Sequence, residues 1–196
     1  EHQLTTGGRR NRCYAYHSLD EKPDSTKRYF VRCLWSPDSR HFVMTHRADS
    51  ILSKMWVINS LSTPRPTLET YRYQMPGEET PTMTMELFDF ENKTSKMIDV
   101  AQFKHQRIEL FGRPATHATR QEQPYKRVWL GDNNGFYFER ISRDMKRIEV
   151  CHVAVDSDSA TAIVREEMNT SIESKPIRLI NGGKQFIQWS ERTGWA

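Results

Sequence analysis

"WSPDSRHFVMTHRADS", Trp35 to Ser50, carries an aromatic residue, a tight polar turn and then an alternating apolar run. Phe30 to Trp35 reads as a strand. Pro37 sets φ for the turn after it, and Ser36 and Asp38 bring side-chain oxygens that can hydrogen-bond the local backbone. His41 to His46 returns as the partner strand, with apolar residues at period two. The unit is a β-hairpin opened by a tryptophan.

The same outline recurs. "VWLGDNNGFYFERI", Val128 to Ile141, sets a short strand against "GDNNG", whose Asn134-Gly135 pair tolerates the positive φ of a tight hairpin, and "FYFERI" returns. "RIEVCHVAV" and "TAIVREE" form a second hairpin around "DSDS", Asp156 to Ser159, and "TMELFDFENKTSKMIDV" turns at "ENKT". "KQFIQWSERTGW" opens another strand near the end of the chain. Trp35-Ser36-Pro37-Asp38 thus reappears as Trp129-Leu130-Gly131-Asp132 and as Trp189-Ser190-Glu191-Arg192. A degenerate repeat of this kind, followed by paired hairpins, fits an all-β architecture of four-stranded antiparallel blades, a β-propeller. One complete unit is expected from Arg127 to Glu167, about 40 residues long, as a propeller repeat should be. Trp35, Trp129 and Trp189 are then blade-packing residues. Two stretches interrupt the pattern. "STPRPTLETYRYQMPGEETPTM" holds prolines 64, 66, 76 and 81 and is expected to leave the blade as an extended excursion, and "GRPATHATRQEQP" reads as an irregular connector.

With 196 residues, 36% hydrophobic and 11% aromatic, the chain can bury a core. Two complete blades and some partial ones do not close a ring, so residues 1–196 are expected to be part of a propeller. Open faces and edge strands then favour self-association of the isolated chain. The 29 Lys+Arg and 25 Asp+Glu are mixed along the sequence, which argues for an ordinary solvated surface and against a nucleic-acid partner. The longest apolar runs fall far short of a membrane span, and the first residues lack the pattern of a signal peptide.

Cys13, Cys33 and Cys151 are odd in number and far apart, which suits free thiols better than a disulfide framework. His41, His46, His105 and His117 show no metal-ligand spacing, and neither a metal nor a cofactor is expected. Glu166-Glu167 ends a strand, where consecutive side chains point to opposite faces, so the pair reads as structural. Asn92-Lys93-Thr94 and Asn169-Thr170-Ser171 match the glycosylation sequon, a short pattern to which no glycan is assigned. No G-x-S-x-G occurs, so no nucleophile elbow is present, and no catalytic residue is assigned to this chain.

Taken together, "WSPDSRHFVMTHRADS", the insert "PTLETYRYQMPGEETPTMTMELFDF" and the ending "FIQWSERTGWA" resemble the N-terminal β-propeller domain of the dipeptidyl peptidase IV family, in the prolyl oligopeptidase clan of serine peptidases. The resemblance runs from about Leu4 to the last residue. Its most specific part is the insert, which follows the family's Tyr-Pro-x-Ala-Gly-x-x-Asn-Pro outline from Tyr71 to Pro81 with Thr80 where asparagine is usual. The resemblance implies a parent enzyme with its serine, aspartate and histidine in a C-terminal α/β-hydrolase domain beyond Ala196. The propeller would gate and shape the path of a peptide substrate to that domain, and the compartment would be periplasmic, cell-surface or secreted.

One departure matters. Aminodipeptidases of the family carry paired glutamates in a D-W-x-Y-E-E-E context upstream of this hairpin, where they bind the substrate's amino terminus. Here the region reads "CYAYHSLDEKPDSTKRYFVRCLWSPD" and has no adjacent glutamate pair. Asp20, Glu21 and Asp24 are the candidate substrate-binding carboxylates, against the plainer reading of a solvated loop turned by Pro23. The departure keeps an alternative open, a propeller that binds a protein or peptide without a working peptidase attached.

Overall fold

The computed structural model describes residues 3–6, 12–14, 33–124 and 126–194, with residues 12 and 13 described by their backbone alone. In chain order the strands are β1 (Arg12–Cys13), β2 (Leu34–Trp35), β3 (His41–Ala48), β4 (Lys54–Asn59), β5 (Thr67–Arg72), β6 (Thr82–Asp89), β7 (Thr94–Ile98) and β8 (Arg107–Leu110). They continue as β9 (Gly112–Pro114), β10 (Arg127–Trp129), β11 (Gly135–Ile141), β12 (Arg147–Ala154), β13 (Thr161–Glu167), β14 (Arg178–Ile180) and β15 (Gln185–Ile187). The protein is all-β, and its two larger sheets are open propeller blades.

The first sheet runs β7-β6-β3-β2-β10-β9, with β1 also pairing with β3. The second is the antiparallel meander β13-β12-β11-β8. Alternation decides which side chains meet. Val43, Met85, Leu87 and Ile98 project from one face of the first sheet onto Ile108, Phe136, Phe138, Cys151 and Val153 of the second, with Trp129 among them, and this is the main core. A second cluster of Phe42, Met44 and Phe88 forms on the opposite face of the first sheet, where Leu4, Tyr14 and Trp35 cover it. Phe42 and Phe88 stack with centroids 4.6 Å apart.

Turn chemistry follows the side chains. At "SPDSRH" the Ser36 hydroxyl donates to Asp38 Oδ1 at 2.6 Å, the amides of Arg40 and His41 donate to Asp38 Oδ1 and Ser36 Oγ, and Ser39 takes φ of 62°. The β11–β12 turn "SRDMKR" repeats every one of these bonds. Ser142 donates to Asp144 at 2.6 Å, the amides of Lys146 and Arg147 donate to Asp144 Oδ1 and Ser142 Oγ, and Met145 takes φ of 56°. The hairpins at "ENKT" and "DSDS" form where their turn residues place them, between β6 and β7 and between β12 and β13.

Several expectations need correction. The strand beside β11 in the second blade is β8, through Phe138↔Leu110 to Ile141↔Arg107, not Val128 to Leu130. β10 instead joins the first sheet, antiparallel to β9 and parallel to β2 through Val128↔Trp35. Just after it the Gly131↔Phe136 bridge and the Tyr137 amide on the Leu130 carbonyl link the chain to β11, and Trp129 packs on Phe136. A blade from Arg127 to Glu167 is therefore incomplete without residues 107–110. Local turn signals fix hairpins, whereas the edge partner is chosen by burial of Ile108 and Leu110 against the core. Within "GRPATHATRQEQP" the residues Gly112–Pro114 are a strand, and the Pro-rich stretch holds β5, which pairs with β4 as a separate ribbon. Trp129 is fully buried and donates its indole N–H to the Asp132 carbonyl at 2.7 Å, but Trp189 is 56% exposed and does not share that packing role. Residues 30–32 of the first expected strand lie outside the described residues.

Cys33 and Cys151 are free thiols, the second fully buried, and burial pushes the Cys151 thiol up to about 11. Glu166 is buried and meets Arg192 at 3.7 Å while Glu167 is exposed, as strand alternation requires. Asn92 lies in the β6–β7 turn with its amide on Asp89, and Asn169 is exposed just after β13.

Candidate functional site

Between β3 and β6 the chain leaves the first blade, and residues 49–81 form the insert. Its exit is tied down by Asp49, 2% exposed, which accepts from Arg47 Nε at 2.7 Å. Arg72 closes the base of the ribbon by donating to the carbonyls of Ser50, at 3.0 Å, and Leu52. The ribbon β4–β5 stands away from both blades. Lys54, Trp56 and Ile58 share a face with their cross-strand partners Arg72, Thr70 and Leu68, and Trp56, Ile58 and Leu68 are each about two-thirds exposed.

The return segment is the part whose outline is most specific in sequence. Met75 donates its amide to Glu78 Oε2 at 2.9 Å and accepts from the Glu78 amide, with Gly77 at φ of 87°. Glu79 then accepts from His105 Nε2 at 2.8 Å and faces Lys104 at 3.5 Å, which clamps the insert to the β7–β8 connection. Beside this clamp, at the end of β11, lies a cleft of about 430 Å³ bordered by Arg47, Thr80, His105, Arg107, Ser142 and Arg143. Its charged lining is cationic. Arg47 and Arg107 are held by Asp49 and Glu109, and the Thr80 hydroxyl is buried without a hydrogen-bond partner among the described residues. The arrangement offers N–H donors suited to the carbonyls or carboxylate of an extended peptide.

Nearby, an ion triad built on a buried Arg140–Glu149 pair fixes the blade. Arg140, Glu149 and Arg165 are successive cross-strand partners on the face of the second sheet that meets the first. Arg140 grips Glu149 Oε2 through Nε at 2.8 Å and Nη2 at 2.6 Å, and donates Nη1 to the Val100 carbonyl at 3.1 Å. Arg165 Nε holds the other oxygen at 2.8 Å. On the opposite face Glu139 is fully buried and accepts from Ser174, while its second oxygen has no partner among the described residues. Burial outweighs the Ser174 hydrogen bond and pushes the Glu139 carboxyl up.

Asp20, Glu21 and Asp24, the carboxylates singled out in sequence, lie outside the described residues. Among the described residues no group of three or more His, Cys, Asp and Glu is placed to hold a metal ion. No helix among them is long and apolar enough to cross a membrane. The Glu79–His105 clamp escaped sequence reasoning because its partners are 26 positions apart, although Glu79 falls within the quoted insert.

The insert between two blade strands and the repeated tryptophan turns are the features that a family comparison tests. The profile of the dipeptidyl peptidase IV (DPP IV) N-terminal region matches residues 29–196. The chain belongs to this family. As a member of the DPP IV N-terminal region family, it is similar in fold to two solved bacterial structures. One is Porphyromonas gingivalis dipeptidyl peptidase 4, with a TM-score of 0.69 and 15% identity over 96% of this chain and 25% of that one. The other is a putative dipeptidyl aminopeptidase IV from Bacteroides ovatus ATCC 8483, with a TM-score of 0.64 and 14% identity over 82% of this chain and 21% of that one. The chain therefore spans a quarter or less of the length of these structures. No curated relative matches it by sequence.

Proposed function

We propose that this chain is the propeller part of a dipeptidyl peptidase IV-like serine peptidase, and that it shapes a peptide's path to a C-terminal α/β-hydrolase domain without supplying the nucleophile. The single observation that carries this reading is the family match over residues 29–196, insert included. The site adds support in kind. Ser36, Ser95, Ser142 and Ser174 donate their hydroxyls to carboxylates, Ser62 and Ser157 pair with other hydroxyls, and Ser190 accepts from Arg192, so no serine–histidine hydrogen bond is among these contacts of the described residues. The cleft at the insert presents donors to a peptide backbone instead. The parent would work in the periplasm, on the cell surface or in secreted form, and the unpaired blade faces of the isolated chain would drive it to self-associate.

The test is hydrolysis of a chromogenic dipeptidyl-proline reporter by the purified full-length parent. Cleavage, with a raised KM when Asp20, Glu21 and Asp24 are all replaced by alanine, supports both the peptidase reading and those carboxylates as substrate ligands. Cleavage with an unchanged KM keeps the enzyme and discards the carboxylates. The missing glutamate pair favours a second reading, a propeller that only binds its peptide or protein partner, and a parent that binds the reporter without cleaving it would establish that one.

A further inference from the structure

At the other end of β11 from the insert lies a second and larger cleft, of about 640 Å³, a size typical of small-molecule sites. Its floor is built from two glycines. Gly131 has φ of 137°, and a Cβ there would come within 2.1 Å of the Gly135 carbonyl oxygen, so the turn from β10 into β11 closes only with glycine. A Cβ on Gly135 would come within 2.4 Å of His152 Nε2, so this position lets the imidazole lie directly against the β11 backbone. Tyr137 packs on that ring with centroids 4.8 Å apart. Burial keeps His152 below its ordinary pKa and Tyr137 above its own, so both are neutral near pH 7 and each carries a polar hydrogen.

Around this aromatic pair stand Arg113, Arg178 and Lys184, together with one acid, Asp132. None of the three cations has an ion-pair partner among the described residues. The arginines at the insert end are different, since Arg47 and Arg107 are matched by Asp49 and Glu109. Asp132 is already committed to the turn, with Oδ1 accepting from the Asn134 amide at 2.8 Å. Two guanidinium groups, an ammonium and two neutral polar rings around one concavity form a donor-rich site whose positive charge is not neutralised from within. Guanidinium forks match the geometry of carboxylate and phosphate oxygens.

We propose that the Tyr137–His152 cleft, with Arg113, Arg178 and Lys184, binds a small multiply charged oxyanion of the carboxylate or phosphate class. The cleft draws its residues from β9, the turn into β11, β11 itself, β12 and the β14–β15 hairpin, at the opposite end of β11 from the insert. Asp132 offsets one of the three positive charges, so the net attraction that remains grows with the charge of the anion and favours one carrying two or more charges.

The experiment is isothermal titration of the full-length parent with citrate and, separately, with inorganic phosphate at matched ionic strength, against Arg178→Gln/Lys184→Gln and Asp132→Asn. Both altered cations are exposed, and asparagine keeps the acceptor that the turn needs, so all the variants should fold. The expected result is saturable binding by the wild type, at least about tenfold weaker in the double variant and about threefold tighter in Asp132→Asn, since removal of one nearby like charge acts in that direction. Binding of citrate alone assigns a carboxylate ligand, and binding of phosphate alone assigns a phosphate ligand. Equal affinity in wild type and double variant, or no saturable binding of either probe up to about 100-fold excess over protein, overturns the proposal. General stabilisation by excluded anions does not mimic the result, because it is the same for all variants.

Discussion

Replacing Glu149 with leucine should be among the most damaging single changes in the second blade. The side chains of Arg140 and Glu149 are each only 6% exposed, whereas that of Arg165 is 72% exposed. Leucine at 149 removes both contacts that neutralise the Arg140 guanidinium and leaves it, inside the interface between the two sheets, with only the neutral carbonyls of Val100, at 3.1 Å, and Ala101, at 3.5 Å, as acceptors among the described residues. Breaking a buried pair from one side costs about 3–5 kcal/mol, because the orphaned charge stays desolvated. Loss of the Arg165 contact adds less than about 1 kcal/mol, since that partner is solvated. The control is Glu149→Leu with Arg140→Met, which removes both charges and fills the space with apolar atoms. A swap of that kind is often neutral or stabilising, so the double variant should lie within about 1 kcal/mol of wild type. Urea unfolding followed by tryptophan fluorescence reads this directly. With a slope of about 2 kcal/mol/M, the single variant moves the midpoint down by about 1.5–2.5 M and the double variant recovers most of the loss. If the two single changes simply add in the double variant, or Glu149→Leu shifts the midpoint by less than about 0.5 M, the triad is not the electrostatic closure described above.

Three further outcomes follow from the same geometry. Glu139 has a carboxyl pushed up by burial, so over the interval between its ordinary and its raised pKa the folded state holds a proton that the unfolded chain has lost. Stability therefore falls as pH rises through that interval, and Glu139→Gln should abolish the fall; a pH series of urea midpoints in which the two proteins stay parallel would contradict it. Gly131→Ala should cost about 1–3 kcal/mol by forcing a side chain into a left-handed position against the Gly135 carbonyl, measured as a drop in thermal midpoint. Trp56→Ser on the exposed ribbon face should alter stability by less than about 0.5 kcal/mol, and a larger loss would show that the face is covered.

The hairpins at "SPDS", "ENKT" and "DSDS" were legible because each is local. Ser36 and Asp38 carry their turn geometry in their own hydroxyl and carboxylate groups, and the alternation in "HFVMTH" and "RIEVCHVAV" fixes which side chains face the core. By contrast, the strand before "GDNNG" goes to the other sheet, and the Ser142–Asp144 turn was not singled out. What escaped reading depends on register between distant strands. Nothing in the spacing of Arg140, Glu149 and Arg165 shows that they are neighbours until β11, β12 and β13 are aligned. Residues 107–110 look no more like a blade strand than residues 127–129 do, and only the packing of Ile108 beneath Phe138 and Trp129 decides between them. The clefts were invisible for the same reason, since each gathers residues from three or more segments of the chain.

The parallel seam between Val128 and Trp35 has a consequence for how the molecule comes apart. A row of repeats that touch only at their faces can lose its end units one by one. Here the strand that precedes the second repeat's hairpins is hydrogen-bonded into the first repeat's sheet, while the second sheet takes its edge from residues 107–110, so the two blades are laced through each other. Severing the chain between residues 110 and 127 would leave each half holding part of the other's sheet. Amide hydrogens in β3 and in β11 should then exchange together, in a single opening event that releases both blades at once.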